Sequence, residues 1–317
     1  MTGRQRKTAI WAVVAILVAC FLALSVVSQV GDLSDFDWHF SPAWLAASIV
    51  LFIAFQAFHA ALWTLLVRAT GGDLPFGAGI RIFSISLLTR YVPTQVLMAV
   101  TRLSMVSARG VPRSVAAASL AYEFPLVVGS SFALSVAYLI DLPELKGHDW
   151  RWLVLLAPVV LLSLLHPRIV DALESRLSAR LGVESEHLTL PIARLVPFVV
   201  AYVLSFAIAG LAVYAFARSI APDATLDLRV LTSYAIGYSA AVLAFFIPGG
   251  LGARDGATAS ALAAAMPGKV ALAVAIGVRL VQTLIELAYA GTAELIHRAP
   301  PRGRGRRRRR RIPKEVA

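Results

Sequence analysis

Seven ionisable residues stand inside runs of chain that are otherwise apolar: Arg90, Arg102, Glu123, Arg254, Asp255, Arg279 and Glu286. A charge carried into a low-dielectric interior costs at least a few kcal/mol, so such a residue is by default a functional candidate, with its partner to be named. Glu123 is within reach of Arg102 or Arg90. Arg279 has Asp255 or Glu286 as candidate partners. Pairs of this kind either tie helices together or form part of a site, and the residue types alone leave both readings open.

Two segments rich in helix breakers lie beside these charges. One is Arg90-Tyr91-Val92-Pro93-Thr94-Gln95, and the other runs from Ile247 and Pro248 through Gly249, Gly250, Leu251, Gly252, Ala253, Arg254 and Asp255 to Gly256. Pro248 ends a helix by removing a backbone donor, and the glycines permit a tight turn at positive φ. Asp255 is placed to cap the next helix. The backbone N–H groups of that helix start would face an anion, with Arg254 adding charge. An ordinary loop between two helices is the plain alternative. Irregular backbone at membrane depth is tolerated only when buried in protein or lining a wet cavity, so either break marks a place of interest.

Familiar catalytic chemistry is missing. There is no HExxH zinc motif and no P-loop. The run Gly237-Tyr238-Ser239-Ala240-Ala241 departs from the nucleophile elbow at its last position. The six histidines are scattered. His59 and His166 lie on or beside apolar stretches as interfacial or core residues, and no metal or cofactor site is expected. Cys20 is the single cysteine, so no intramolecular disulfide can form, and with no asparagine there is no N-glycosylation acceptor.

The elements that must position these residues are membrane helices. The 317 residues are 58% hydrophobic and 15% charged, with mean hydropathy +0.75, against about 45–50% apolar and 25% charged in a soluble domain. The excess falls in long runs, and about 20 apolar residues suffice to cross the hydrocarbon core. Spans are predicted at 10–27, 43–67, 114–140, 195–217, 231–247 and 270–296, with shorter runs at 153–165 and 256–266. The run 80–106 is interrupted by Arg90, Pro93 and Arg102. Trp44 and Trp63 read as interface anchors at the two ends of the second span. The run 10–27 is longer than the apolar part of a cleaved signal, which favours a retained first helix.

Arg and Lys set the orientation. A basic start (Arg4, Arg6, Lys7), an acidic loop (Asp32, Asp35, Asp37), a basic loop (Arg102, Arg109, Arg113), an acidic stretch near 141–149 and a basic amphipathic segment (Arg168, Arg176, Arg180, Arg194) place both termini in the cytoplasm. The expected division is a basic N-terminus at 1–9, a transmembrane domain at 10–297 and an Arg-rich disordered tail at 298–317. Eight arginines of that tail supply most of the formal charge of +12. No aromatic stacking groups accompany them, so the tail suits anionic lipid and not nucleic acid. The fold class is therefore an all-α polytopic bundle of about six to eight membrane helices. Either eight plain crossings, or six crossings with two re-entrant hairpins opposed near the midplane, satisfy the charge map.

Pro248 to Gly256 resembles the signature of the lysylphosphatidylglycerol synthase transmembrane-region family, the membrane part of the bacterial multiple peptide resistance factor. The resemblance runs over roughly residues 10–296. It includes Arg90-Tyr91-Val92-Pro93, Arg102, Arg109-Gly110-Val111-Pro112, Glu123 and Arg279. Thr94 stands where that family usually has Gly, and Asp255 where it usually has Glu, which keeps the charge.

The resemblance implies a lipid-handling domain of a bacterial cytoplasmic membrane. Arg102, Arg254 and Arg279 would hold a lipid phosphate, which a guanidinium can meet bidentately. Glu123, Asp255 and Glu286 would balance charge or meet a cationic head group. Pro93, Pro248, Gly249, Gly250, Gly252 and Gly256 would form the hinges. In full-length members a soluble aminoacyl-transferase domain follows. The present chain ends at Ala317 without one, so no enzymatic transfer is expected. The expected partners are membrane phospholipids and, as an alternative role, a cell-envelope glycosyltransferase using polyprenyl-phosphate sugars. Self-association is a further possibility.

Overall fold

Apolar runs of this length can hide their backbone from lipid only by satisfying every N–H and C=O within the run, and helices result throughout. The computed structural model describes residues 40–89, 96–140, 148–181, 189–244 and 252–298. In chain order the helices are α1 (Pro42–Ala69), α2 (Phe76–Leu88), α3 (Val96–Ser107), α4 (Arg113–Leu139), α5 (Leu156–Ser163, entered through a 3-10 turn at Asp149–Leu155), α6 (Pro167–Leu181), α7 (Ile192–Ile220), α8 (Leu228–Leu243), α9 (Ala253–Ala263) and α10 (Gly268–Arg298). Four of them (α1, α4, α7 and α10) are long and apolar enough to cross a membrane. The chain is an all-α, polytopic membrane bundle.

The predicted run 10–27, Cys20, Arg90, Pro93, Pro248, Gly249, Gly250 and the Arg-rich tail lie outside the described residues.

α1 and α7 form the spine. Ser41 N donates to Ser219 O at 2.8 Å, and Ser48 Oγ donates to Ala212 O at 2.8 Å. Further along, His59 Nε2 lies 2.8 Å from Ser205 Oγ. Partners recede on α7 as they advance on α1, so the two helices are antiparallel. α4, α8 and α10 also pack on α7. The main apolar core fills the space between these helices, including Phe55, Leu126, Tyr202, Phe206, Val213 and Val274. A second core joins α1 to α2, α3 and α4 through Trp63, Ile82, Phe83, Val106 and Val115.

The two interrupted runs each become a pair of short helices. At 1.5 Å per residue, α2, α3, α8 and α9 are roughly 20, 18, 24 and 17 Å long, all below the ~30 Å hydrocarbon thickness. α8 and α9 run antiparallel: Arg229 Nη1 near the start of α8 reaches Ala264 O, just past the end of α9, at 2.5 Å. Their middles meet where Gly237 faces Thr258. The chain therefore turns back after α8 instead of continuing in one direction. α8 ends at Leu243, short of Pro248.

Two sequence expectations change here. Trp63 is not an interface anchor: it is fully enclosed in the second core, because Arg102 lies against its ring. Trp44 alone keeps the surface position, edge-on to Tyr214. The N-cap of α9 is Gly252, not Asp255. Gly252 has φ +75, a left-handed value open to glycine at no steric cost. That conformation lets the helix begin earlier, which puts Asp255 within its first turn.

Candidate functional site

Arg254 occupies the first turn of α9, where the unsatisfied N–H groups give the helix its positive end. It is only 7% exposed. Its Nη2 donates to Gln282 Oε1 on α10 at 2.7 Å, and its guanidinium lies 4.8 Å from the Tyr234 ring centroid on α8. Gln282 is a neutral amide. It fixes the direction of the guanidinium without cancelling its charge. Asp255, next in the chain, is likewise buried and sits favourably against the helix dipole.

On α10, Arg279, Gln282, Thr283 and Glu286 are all buried. Their spacing of three and four residues puts them on one face. α9 and α10 pack against each other, and the hydrogen bond between Arg254 and Gln282 joins the first turn of α9 to this face. Buried positive charge, a helix N-terminus and an amide donor converge there. That is the equipment for holding an anion.

A second cluster lies between α1, α2, α3 and α4. Arg102 on α3 is 1% exposed. It forms an ion pair with Glu123 on α4, and its Nε donates to Ser86 Oγ on α2 at 2.8 Å. Its guanidinium stands 4.9 Å from the Trp63 ring centroid and 4.6 Å from that of Phe83. Three neighbouring helices, α1, α2 and α4, enclose this cation. In this conformation it is a clamp.

A family model for the lysylphosphatidylglycerol synthase TM region matches residues 10–289. The chain belongs to this family. A search of curated proteins and of solved structures finds no match. The family comprises membrane proteins tied to lipid and cell-envelope pathways.

In this family member Arg254 and Asp255 stand in the first turn of α9, Gln282 ties Arg254 to the α10 face that carries Arg279 and Glu286, and Arg102 pairs with Glu123, one of the two options the sequence offered. Among the described residues Arg102 meets Trp63, Phe83, Ser86 and Glu123, while Arg254 meets Tyr234 and Gln282. An aromatic layer lies between the clusters: Tyr234 meets Phe55 edge-on at 5.3 Å, Phe55 meets His59 at 4.5 Å, and His59 meets Tyr202 edge-on at 5.3 Å. Of the predicted hinge glycines, Gly252 makes its turn, whereas Gly256 is an ordinary residue of α9.

Sequence reading missed Gln282, Tyr234, Ser86 and the ion pair of Arg81 with Glu294 at 2.7 Å. Gln282 had a signal. It is a polar residue one helical turn from both Arg279 and Glu286 in an apolar helix. Nothing local marked the others, which meet their partners across the fold.

Gly237 sets the spacing of the α8–α9 pair. A Cβ there would stand 2.0 Å from Thr258 Oγ1 and 2.9 Å from the backbone oxygen of Arg254. Real side chains do not approach that closely, so the helices must part. Gly237→Val is expected to cost about 1–3 kcal/mol by overpacking and to pull Arg254 away from Gln282. A lowered melting temperature in detergent checks the first expectation. Increased accessibility of residue 254, introduced as a cysteine in a Cys20→Ser background, checks the second.

Proposed function

We propose that this bundle binds an anionic or head-group-modified phospholipid by its phosphate and carries it between leaflets. The observation behind the reading is the enclosed guanidinium of Arg254 at the N-terminus of α9, oriented by a hydrogen bond to the neutral Gln282. A cation that costs several kcal/mol to bury is retained in an orientation suited to phosphate oxygens. Arg279 supplies the second charge. Asp255 and Glu286 moderate the field, and they would meet a cationic substituent on the head group. The short α8–α9 pair supplies an interrupted element next to the charges, the arrangement many transporters use to reach a substrate at mid-membrane. Arg102 and Glu123 would join a phosphate path only if α2 and α3 moved apart.

Leaflet-resolved lipid movement in proteoliposomes tests this reading. Fluorescent phosphatidylglycerol, lysylphosphatidylglycerol and a polyprenyl phosphate are supplied in turn, and movement of one above protein-free vesicles is the expected result. If none moves, the translocation reading falls. A non-transporting role beside a cell-envelope glycosyltransferase then takes its place, and co-purification with such an enzyme is the next measurement.

A further inference from the structure

α4 packs into both apolar cores, and the change from one to the other falls part-way along it. Val115, Ala116 and Ala117 belong to the second core, with α2 and α3, whereas Ala121, Leu126 and Val127 belong to the main core. Pro125 stands buried inside the helix, near the middle of its 27 residues. A proline has no N–H to donate, so the carbonyl four residues back, that of Ala121, loses its helical hydrogen bond, and the ring crowds it. The bond missing from α4 therefore begins at the residue where the helix enters the main core. Sharp bends in helices gather at such prolines.

The two halves of α4 are fastened to different partners. Glu123, inside the unbonded turn, holds Arg102 of α3, and Arg102 Nε donates in turn to Ser86 Oγ of α2. Beyond Pro125, Leu162 of α5 packs so close to Gly129 that a Cβ there would lie 2.8 Å from it. Ser131 Oγ and Ser135 Oγ lie 3.1 and 3.3 Å from Ser239 Oγ on α8. α8 leads on to α9 and Arg254 through the close contact at Gly237. Pro125 thus separates a body that carries Arg102 from a body that carries Arg254. The links between the bodies are yielding ones. The Tyr122 hydroxyl accepts from the backbone N–H of Leu190, in the loop ahead of α7, at 2.6 Å. Arg81 of α2 meets Glu294 of α10 in a part-exposed ion pair, which resists displacement weakly. α1 packs on both, with Leu66 in the main core and Val67 in the second.

We propose that the turn from Ala121 to Pro125 is a hinge, about which the first half of α4 rocks together with α2 and α3, as one body, against α5, α7, α8 and the second half of α4. Arg113, at the far end of the moving half, is about 18 Å from Pro125 at 1.5 Å per residue, so a bend of ~20° carries it by about 6 Å. Glu123 sits at the pivot, where displacement is small, and its ion pair with Arg102 persists as the body turns. The motion itself needs no lipid; its use in lipid movement rests on the function proposed above.

Distances between spin labels in the full chain, in a Cys20→Ser background, test the hinge. Arg113→Cys with Arg194→Cys reads across it, from the exposed start of α4 to the exposed start of α7. Arg194→Cys with Leu228→Cys joins α7 to α8 within the other body and serves as the fixed pair. The first pair is expected to give two maxima, or a distribution broader than that of the fixed pair, by about 6 Å. Pro125→Ala restores the missing N–H and should reduce it to a single narrow maximum. In proteoliposomes the same variant should move lipid several-fold more slowly than the wild type while melting no lower. A wild-type distribution as narrow as that of the fixed pair overturns the hinge, as does one that Pro125→Ala leaves unchanged. The wild-type comparison decides the matter even where Pro125→Ala fails to fold. If the distribution narrows as expected and the wild type moves no lipid, the hinge stands and the translocation reading falls.

Discussion

Arg102→Met and Glu123→Leu, made singly, should each lower the stability of the bundle by about 3–5 kcal/mol, and together should restore most of it. Each single change strands a buried charge, and removal of one partner from a buried pair carries that size of penalty. The double variant removes both charges and leaves apolar side chains among apolar neighbours, where burial is favourable. Arg102 has more to lose than its ion pair. Its hydrogen bond to Ser86 and its place between the rings of Trp63 and Phe83 add contacts worth about 0.5–2 kcal/mol per ring. Arg102→Lys should therefore fall between wild type and Arg102→Met, since a compact ammonium keeps the charge and loses the flat fork. Thermal melts in a single detergent give the ranking. Single variants that melt with the wild type yet abolish lipid movement would overturn the clamp and make Arg102 a direct ligand.

That distinction was not available before folding. The length and apolarity of α1, α4, α7 and α10 were legible, because a membrane helix writes its whole burial pattern into one continuous run. Interruption of the runs around Pro93 and Pro248 was legible for a similar reason, since proline and glycine act on the backbone locally. The charges that would be buried were also plain, as few other residues in such runs are ionisable. Their grouping was not. Arg102 meets Glu123 because α3 and α4 are neighbours in chain and space, and that pairing could be guessed. Arg254 meets Gln282 because α9 packs on α10, and a neutral glutamine raises no flag in a search for opposite charges. The cap of α9 was misplaced for a different reason. Asp is a favoured capping residue, but the left-handed turn at Gly252 starts the helix first. The enclosure of Trp63 shows how a tertiary contact overrides a prior about membrane interfaces: a cation packed against its ring takes the tryptophan into the core.

Arg254→Ala and Arg279→Ala should each reduce lipid movement by at least tenfold while leaving the helical content and monodispersity of the protein intact. A hydrogen bond to a charged group contributes about 1.5–3 kcal/mol, and 1.4 kcal/mol is a factor of ten in affinity. Loss of one phosphate contact thus corresponds to roughly ten- to 150-fold weaker binding. The graded variants carry the argument. Arg254→Lys preserves charge and forfeits the bidentate fork, so intermediate movement is expected. Gln282→Leu leaves the guanidinium in place and removes the amide that orients it, not a phosphate contact, so a smaller, several-fold loss of movement is expected. Arg81→Gln breaks the pair with Glu294 in a part-exposed setting, where ion pairs contribute about 0–1 kcal/mol, and should change movement little. A site that binds phosphate through Arg254 requires the order wild type, Gln282→Leu, Arg254→Lys, Arg254→Ala. A purely structural Arg254 would give losses that follow the melting temperature, and Gln282→Leu, which leaves a buried cation without its hydrogen-bond acceptor, would then be as damaging as Arg254→Ala. Measuring melting temperature and lipid movement on the same preparations separates the two, because only the binding role makes Arg254→Ala lose movement at nearly unchanged stability.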